Sequence, residues 1–399
     1  MPAAQPTSRS AMALTQTDRA WIELRAVAAG FALAGVAGVP GPHSASAEVA
    51  EHRFAAWIAS GNAGDMDYLK RRDDTGALLR GDLRRPIPWA RSVVVCAMNY
   101  NIAVEGHPPP LSIEPAAADT GWIARYAWSG RESGTAASRP SDYHDVLLPR
   151  LRSVEKELCQ RFACETQCYV DTGPIVERDY AERAGIGWIG KNTCLINQQQ
   201  GSWLLLGVIV TSLDLAPEAA SLPAADRCGA CTRCIDACPT DALLATRDRN
   251  GPRQMDASRC IAYLTIEKKG SIAEELLAPI GRNVFGCDIC QDVCPWNKRA
   301  PIAPSAPLPP RRELINPALE WLASLEGPEF ARVFRGSPVE RRRRDTSRRK
   351  RFRRNLAIAM GNSGESRFLP RLNAWAAGDD PVLAETAAWA AQRLRGAAQ

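Results

Sequence analysis

A chain of mixed helix and strand in three successive parts is predicted by three features of the sequence. Strongly apolar runs alternate with amphipathic helical stretches as far as Leu215. Eight cysteines follow in two matching groups between Cys228 and Cys294. A run of short amphipathic helices then occupies 306–399. With 399 residues there is length for two or three domains, each with its own core. A hydrophobic share of 45% and a charged share of 24% are ordinary for a globular protein.

Residues 1–17 read as a flexible leader, and 18–215 as the first folded part. Ala26–Val39, rich in Ala and Gly, is shorter than the about 20 residues of a membrane span and reads as a buried helix and turn. The first residues show no charged start, apolar core and cleavage site, and no twin-arginine pair. A cytoplasmic protein without a membrane anchor is expected, and a monomer, since nothing in the sequence asks for an obligate dimer. Ser92–Ala97 and Ser202–Val210 are predicted as buried strands by their apolar, β-branched runs, and Gln167–Val170 as a shorter one. Val146–Cys159 has amphipathic helical spacing, with leucines at 147, 148, 151 and 158. Ser129–Ser141, rich in Gly, Ser and Ala, reads as a surface loop, and Ala216–Ala225 as a linker.

The cysteine module spans 216–305. Cys228, Cys231, Cys234 and Cys238 give C-x2-C-x2-C-x3-C with Pro239 next, the bacterial ferredoxin pattern in which the fourth cysteine serves the other cluster. The second group, Cys287, Cys290 and Cys294 followed by Pro295, has no middle cysteine between Cys290 and Cys294, and Cys260 is the available substitute. The assignment is therefore Cys228, Cys231, Cys234 and Cys294 on one 4Fe–4S cluster, and Cys238, Cys260, Cys287 and Cys290 on the other. Zinc ribbons also use C-x2-C pairs, but two zinc sites do not account for three cysteines at two-residue gaps plus two C-x3-C-P endings. Thirteen cysteines in such a chain indicate reduced thiols and metal ligation rather than disulfides. Those at 96, 159, 164, 168 and 194 lack ligand spacing and read as buried thiols.

Three motifs in the first part invite a functional reading. Gly185–Gly190 fits G-x-G-x-x-G, but a polar helical stretch precedes it and a strand follows, the reverse of the dinucleotide-binding context. A glycine loop that lets backbone approach a large cofactor suits it better. Asp171, at the end of a strand and before Thr172-Gly173-Pro174, is either a turn residue or a general acid with a pKa raised by burial. Asp142-Tyr143-His144 begins the cobalamin-ligand pattern D-x-H-x-x-G, but Leu147 stands in place of the glycine, which disfavours axial ligation by His144.

After the cysteines, Pro301–Pro310 reads as an extended connector. Leu314–Leu325, Phe352–Met360, Ser366–Ala377 and Pro381–Arg395 are predicted helices, Asp380 and Pro381 supplying a cap and first turn. Helix pairs of this size are HEAT-like and too few for a solenoid. Arg341–Arg354 carries ten basic residues and one acidic, a local +9 against a net +6, so the rest of the chain sums to −3. Such a block is a solvated face or a surface for an anion such as nucleic acid.

The chain as a whole resembles the epoxyqueuosine reductases, cobalamin-dependent iron–sulfur enzymes of tRNA modification. The resemblance rests on Val170–Asn192 (V-D-T-G-P-I-V-E-R-D-Y-A-E-R-A-G-I-G-W-I-G-K-N), the eight cysteines, Arg259–Gly270, Gly286–Asn297, Phe334–Val339 and Arg354–Gly364. It implies an N-terminal α+β domain holding cobalamin base-off, two 4Fe–4S clusters that reduce it, and a HEAT-like tail that binds the anticodon stem-loop of tRNA. It implies Asp171 as proton donor, with Tyr143, His144, Gly190, Lys191 and Asn192 at cofactor-facing positions. A low-potential electron donor is a further implied partner. The sequence departs from the family pattern in a longer insertion around 131–141 and a denser arginine block. Two rival classes are a corrinoid reductive dehalogenase, which would carry a twin-arginine signal, and a ferredoxin-type electron carrier, which would not need the large first part.

Overall fold

The computed structural model describes residues 13–41, 44–102, 111–112, 117–131, 139–244, 253–303, 308–341 and 346–397. Its first part is built on four strands: β1 (Leu33–Gly38), β2 (Ser92–Asn99), β3 (Thr166–Tyr169) and β4 (Leu204–Thr211). Their order is β1-β2-β4-β3, and every neighbouring pair is antiparallel. The alternation of strand and helix in the sequence therefore does not yield a parallel sheet, and an α+β arrangement results. Val94 is aligned with Val36 on one side and Ile209 on the other. The central β2 lacks an alternating pattern because both its faces are covered. Val94, Cys96 and Met98 face α1 (Gln16–Ala28) and α3 (Tyr143–Arg161), between which the chain forms α2 (Ala45–Ala59), while Val93, Val95 and Ala97 share a core with Ile175, Tyr180 and Ala181.

Two expectations near the start are corrected. Residues 1–12 of the leader read over 1–17 lie outside the described residues, but Ala13–Leu14 already pair with Asp214–Leu215. Thr15 then caps α1, its hydroxyl accepting the Asp18 N–H at 3.2 Å while the Asp18 carboxylate accepts the Thr15 N–H at 3.1 Å. The stretch Ala26–Val39 is helix only to Ala28, and β1 follows. Its small residues reflect close packing: a Cβ on Gly35 would stand 2.6 Å from the Ala184 carbonyl oxygen, just after α4 (Glu177–Arg183).

The loop over Ser129–Ser141 is pinched at its ends, where Gly130–Arg131 pair with Arg139–Pro140, and 132–138 lie outside the described residues. In the proline connector, of which 304–307 lie outside the description, Leu308 is buried in the core of α1 and α3. Short helices carry Cys234 (Arg233–Asp236) and Cys290 (Ile289–Asp292), the other six cysteines lie outside helices, and α5 (Ile261–Ile266) follows Cys260. The C-terminal part comprises Leu319–Ser324, an unanticipated helix at Gly327–Phe334, α6 (Thr346–Gly361), α7 (Leu369–Ala376) and α8 (Pro381–Ala397). Phe330, Phe334 and Phe352 meet with centroids 4.9 to 5.3 Å apart. This core is not private to the tail. Trp122, Trp128, Val284 and Phe285 belong to it, and Asn283–Phe285 pair in parallel with Trp122–Ile123.

The arginine block is likewise divided, with 342–345 outside the described residues. Arg354 is buried, donating to the carbonyls of Leu264 and Gly270, each at 2.6 Å, and of Lys268 at 3.0 Å. Burial lowers its pKa to about 10. Arg349 pairs with buried Glu340 at 3.0 Å. These two arginines fasten α6 to the rest of the molecule rather than facing a partner.

Candidate active site

The eight thiols converge as two sets. Cys228, Cys231 and Cys294 are the thiols that act electrostatically on Cys234, whose pKa is pushed to about 12 by burial first and by those neighbours next. Cys228, Cys231, Cys234 and Cys294 also line one cavity together with Lys191, Asn192 and Trp296. On the other side, Cys260 and Cys238 act on Cys287, and Cys287 and Cys260 act on Cys290. Buried thiols crowded together resist becoming four anions unless a cationic centre joins them, which suits iron. Among the described residues no three His, Cys, Asp or Glu side chains draw close enough to share one metal ion. A cubane, whose ligands hold separate corners, is the better match to thiols spread in this way.

Of the cysteines without ligand spacing, Cys96 is buried, whereas Cys159 is exposed. Cys194 is the residue that spacing missed: it hydrogen-bonds Cys290, the leading cause of its lowered pKa. Only the fold, through the hairpin of Trp188–Ile189 with Leu195–Ile196, brings it there. The same hairpin explains the glycines. A Cβ on Gly187 would stand 2.2 Å from the Ile196 carbonyl oxygen, and one on Gly190 would stand 2.4 Å from the Ile196 side chain. They allow close packing within the protein, and no helix opens where a dinucleotide loop requires one.

Lys191 and Asn192 are buried at 1% and 4% exposure. Lys191 Nζ donates to the Gly229 carbonyl at 3.0 Å and Asn192 Nδ2 to the Cys290 carbonyl at 3.3 Å, so the pair spans both cysteine groups. Their side-chain nitrogens are directed to the cysteine loops. Between the second set and the first part lies a buried ionic network. Asp288 accepts from Trp122 Nε1 at 3.1 Å and from the Arg125 N–H at 2.7 Å, and Asp292 pairs with the Arg125 guanidinium at 3.3 Å. Arg125 also lies 4.3 Å from the Trp203 ring centroid. Burial, then Asp292, raises Asp288 to about 7.

Asp171 lies beside Tyr143, at the start of α3. It is exposed, and its φ of 55° is a left-handed conformation that costs a non-glycine residue energy. Two bonds hold it there: its N–H donates to Glu177 Oε1 at 3.0 Å, and Tyr143 OH donates to its carboxylate at 2.9 Å. Tyr143 meets Tyr126 edge to face at 5.9 Å, and Phe285 lies 6.3 Å from Tyr126. Burial, then the Asp171 charge, raises the pKa of both Tyr143 and Tyr126. Tyr68, 48% exposed, is close enough to feel the same charge. An exposed carboxylate among aromatic rings, one of them uncovered, suits a large flat ligand presenting a group to be protonated.

His144 stacks on Tyr143 with centroids 4.0 Å apart. Its Nδ1 is 2.6 Å from buried Asp142, which caps α3 by accepting the His144 N–H at 3.0 Å. That arrangement fits the structural role read from the missing glycine. A cavity of about 440 Å³ between Leu322, Phe330, Arg349 and Leu383 belongs to the C-terminal helices and includes neither a cysteine nor Asp171.

Residues 227–297 match the family model described as a 4Fe-4S double cluster binding domain. With the antiparallel first part, this defines an iron–sulfur protein whose double-cluster module is built into an α+β fold. Residues 80–172 match a second model, epoxyqueuosine reductase QueG, DUF1730. The chain is 38% identical to the epoxyqueuosine reductase of Gloeobacter violaceus, over 87% of this chain and 97% of that one. To that of Xanthomonas campestris it is 35% identical, over 85% and 87%. It belongs to the epoxyqueuosine reductase family. A solved epoxyqueuosine reductase with an epoxyqueuosine-modified tRNA-Tyr stem loop superposes with a TM-score of 0.76 at 28% identity, over 94% of this chain and 89% of the other. A Bacillus subtilis structure, whose catalytic aspartate loop is swung out of the active site, superposes with a TM-score of 0.75 at 27% identity, over 94% and 90%.

Proposed function

We propose that this protein reduces epoxyqueuosine in the tRNA anticodon to queuosine. The epoxide takes up two electrons and two protons, forming a carbon–carbon double bond and releasing its oxygen as water. The observation that carries the assignment of Asp171 is its geometry: an exposed carboxylate kept in a strained backbone position by Tyr143 and Glu177. Strain of this kind is retained where the surroundings over-determine it, as they do at active sites. Asp171 holds a proton for the leaving oxygen, and Tyr143 orients its carboxylate.

Tyr68, Tyr126 and Tyr143 are the residues that would hold a cobalamin, bound base-off, beside Asp171. When bound, the clusters would supply single electrons from a low-potential donor and the cobalamin would supply a strongly nucleophilic cobalt. The cysteine assignment is the one given by their spacing, Cys228, Cys231, Cys234 and Cys294 against Cys238, Cys260, Cys287 and Cys290. We read 18–215 as the cobalamin domain, 216–305 as the cluster domain and 306–399 as a HEAT-like tRNA-binding part. The tRNA stem-loop meets the cations of α6 that are not buried, such as Lys350 and Arg353. No helix among the described residues is long and apolar enough to cross a membrane. A monomer working in the cytoplasm, where its tRNA substrate is, completes the reading.

The test is anaerobic turnover of epoxyqueuosine-bearing tRNA by the chain reconstituted with iron, sulfide and cobalamin. Asp171→Asn should retain both clusters and cobalamin, since it touches neither cysteine set. It should lose at least about 100-fold in turnover, the usual worth of a positioned acid. Undiminished turnover in that variant would remove Asp171 from the chemistry, and no turnover in the wild type would end the assignment.

A further inference from the structure

Lysine is almost never fully buried without a partner, because an isolated ammonium loses its hydration at large cost. Lys191 is 1% exposed. Its one hydrogen bond among the described residues goes to an uncharged acceptor, the Gly229 carbonyl at 3.0 Å, and none of their ion pairs includes it. The side chain nevertheless lines the cavity of Cys228, Cys231, Cys234 and Cys294. The hairpin that carries it is fixed on both flanks. Ile189 N–H donates to Glu182 at 3.0 Å, and Trp188 packs on Trp296 with centroids 5.2 Å apart. Lys191 is thus held by the fold at the cavity that the four thiols line.

A 4Fe–4S cluster with its four thiolates is an anion in both oxidation states and gains a further negative charge on reduction. A buried cation beside it is attracted to both forms and favours the reduced one more. We propose that Lys191 is the counter-charge of the cluster held by Cys228, Cys231, Cys234 and Cys294, and that it raises this cluster's reduction potential above the value the thiolates alone would give. It acts as a positioning charge and not as a ligand. Arg233 lines the same cavity but is exposed, so solvent screens its charge. The buried charges around the second set are of the other sign, Asp288 and Asp292, accompanied by Arg125. Lys191 therefore also separates the potentials of the two clusters.

The inference rests on the cysteine assignment, and the experiment keeps the two apart. Wild type, Lys191→Gln and Arg233→Gln are reconstituted with iron and sulfide, and both clusters are titrated potentiometrically by EPR. Lys191→Gln keeps a donor for Gly229 and removes the charge. It should weaken the reduction equilibrium of one cluster at least tenfold, which is about 59 mV for a one-electron couple. That cluster should be the one absent from Cys234→Ala, and Arg233→Gln should move neither. Two clusters with unmoved potentials in Lys191→Gln overturn the role of Lys191 while leaving the assignment standing. A wild type binding far fewer than about eight irons overturns the assignment itself. If Lys191→Gln loses iron, Lys191→Arg decides: iron retained with the charge supports the counter-charge, and iron lost again ends the proposal.

Discussion

The two cysteine sets belong to one module but answer charge in different ways. Around Cys238, Cys260, Cys287 and Cys290 the protein pairs its own buried charges, the Arg125 guanidinium meeting Asp292 while its backbone N–H and the Trp122 indole donate to Asp288. Around Cys228, Cys231, Cys234 and Cys294 the buried Lys191 donates to a backbone carbonyl and, among the described residues, to no charged group. One pocket is complete as a piece of protein, and the other is completed by what it binds. A network paired within the protein depends less on a ligand than an unpaired charge does. An unbalanced cation links stability to the ligand, because anything that binds only the folded form stabilises it.

The strongest way to break this comparison is to remove one ligand from each set. Cys234→Ala and Cys260→Ala should each lose one cluster, about half the iron, and all detectable turnover. Full iron in Cys260→Ala would mean that Cys260 is not a ligand, and Cys194, already bonded to Cys290, would be the thiol to test next. A smaller effect concerns the balanced pocket. Arg125→Met leaves Asp288 and Asp292 buried without their cation, an imbalance that costs about 3–5 kcal/mol. The fall should be visible as a lower urea midpoint of the cluster-loaded protein. A midpoint within error of the wild type would show that the carboxylates are already neutral, and the contrast between the pockets would shrink accordingly.

How much of this was legible in the sequence depends on whether the information is local. The cysteine runs are: three thiols at two-residue gaps before Cys238 and Pro239 announce a cluster before any fold is known. The partnership of Lys191 with Gly229 is not, since 38 residues separate them and only the hairpin brings the side chain inward. Arg354 has the same composition context as its exposed neighbours, yet three carbonyls of the cysteine module enclose it. The strand at Leu33–Gly38 was hidden because its residues are chosen for close approach to Ala184 rather than for β propensity. Asp171 could be suspected from its strand-end position. Its left-handed φ and the two bonds that hold it belong to tertiary structure.

A third kind of buried charge sharpens the comparison at the smallest scale. Glu177 accepts the Asp171 N–H and has no cation in bonding contact among the described residues. Burial, then the charge of Asp171, raises its pKa from 4.5 to about 7, against the opposing pull of Arg80. The folded chain then keeps a proton that the unfolded chain releases above pH 4.5. Stability is therefore greatest below that value, declines as pH climbs towards about 7, and is level beyond it. At about 1.4 kcal/mol per unit the decline from this residue is at most about 3 kcal/mol. Glu177→Gln has no proton to lose, so its urea midpoint should change less than that of the wild type between pH 5 and about 7.5. Equal slopes in the two proteins would assign the decline to other groups and leave Glu177 as an ordinary charged carboxylate that accepts the Asp171 N–H.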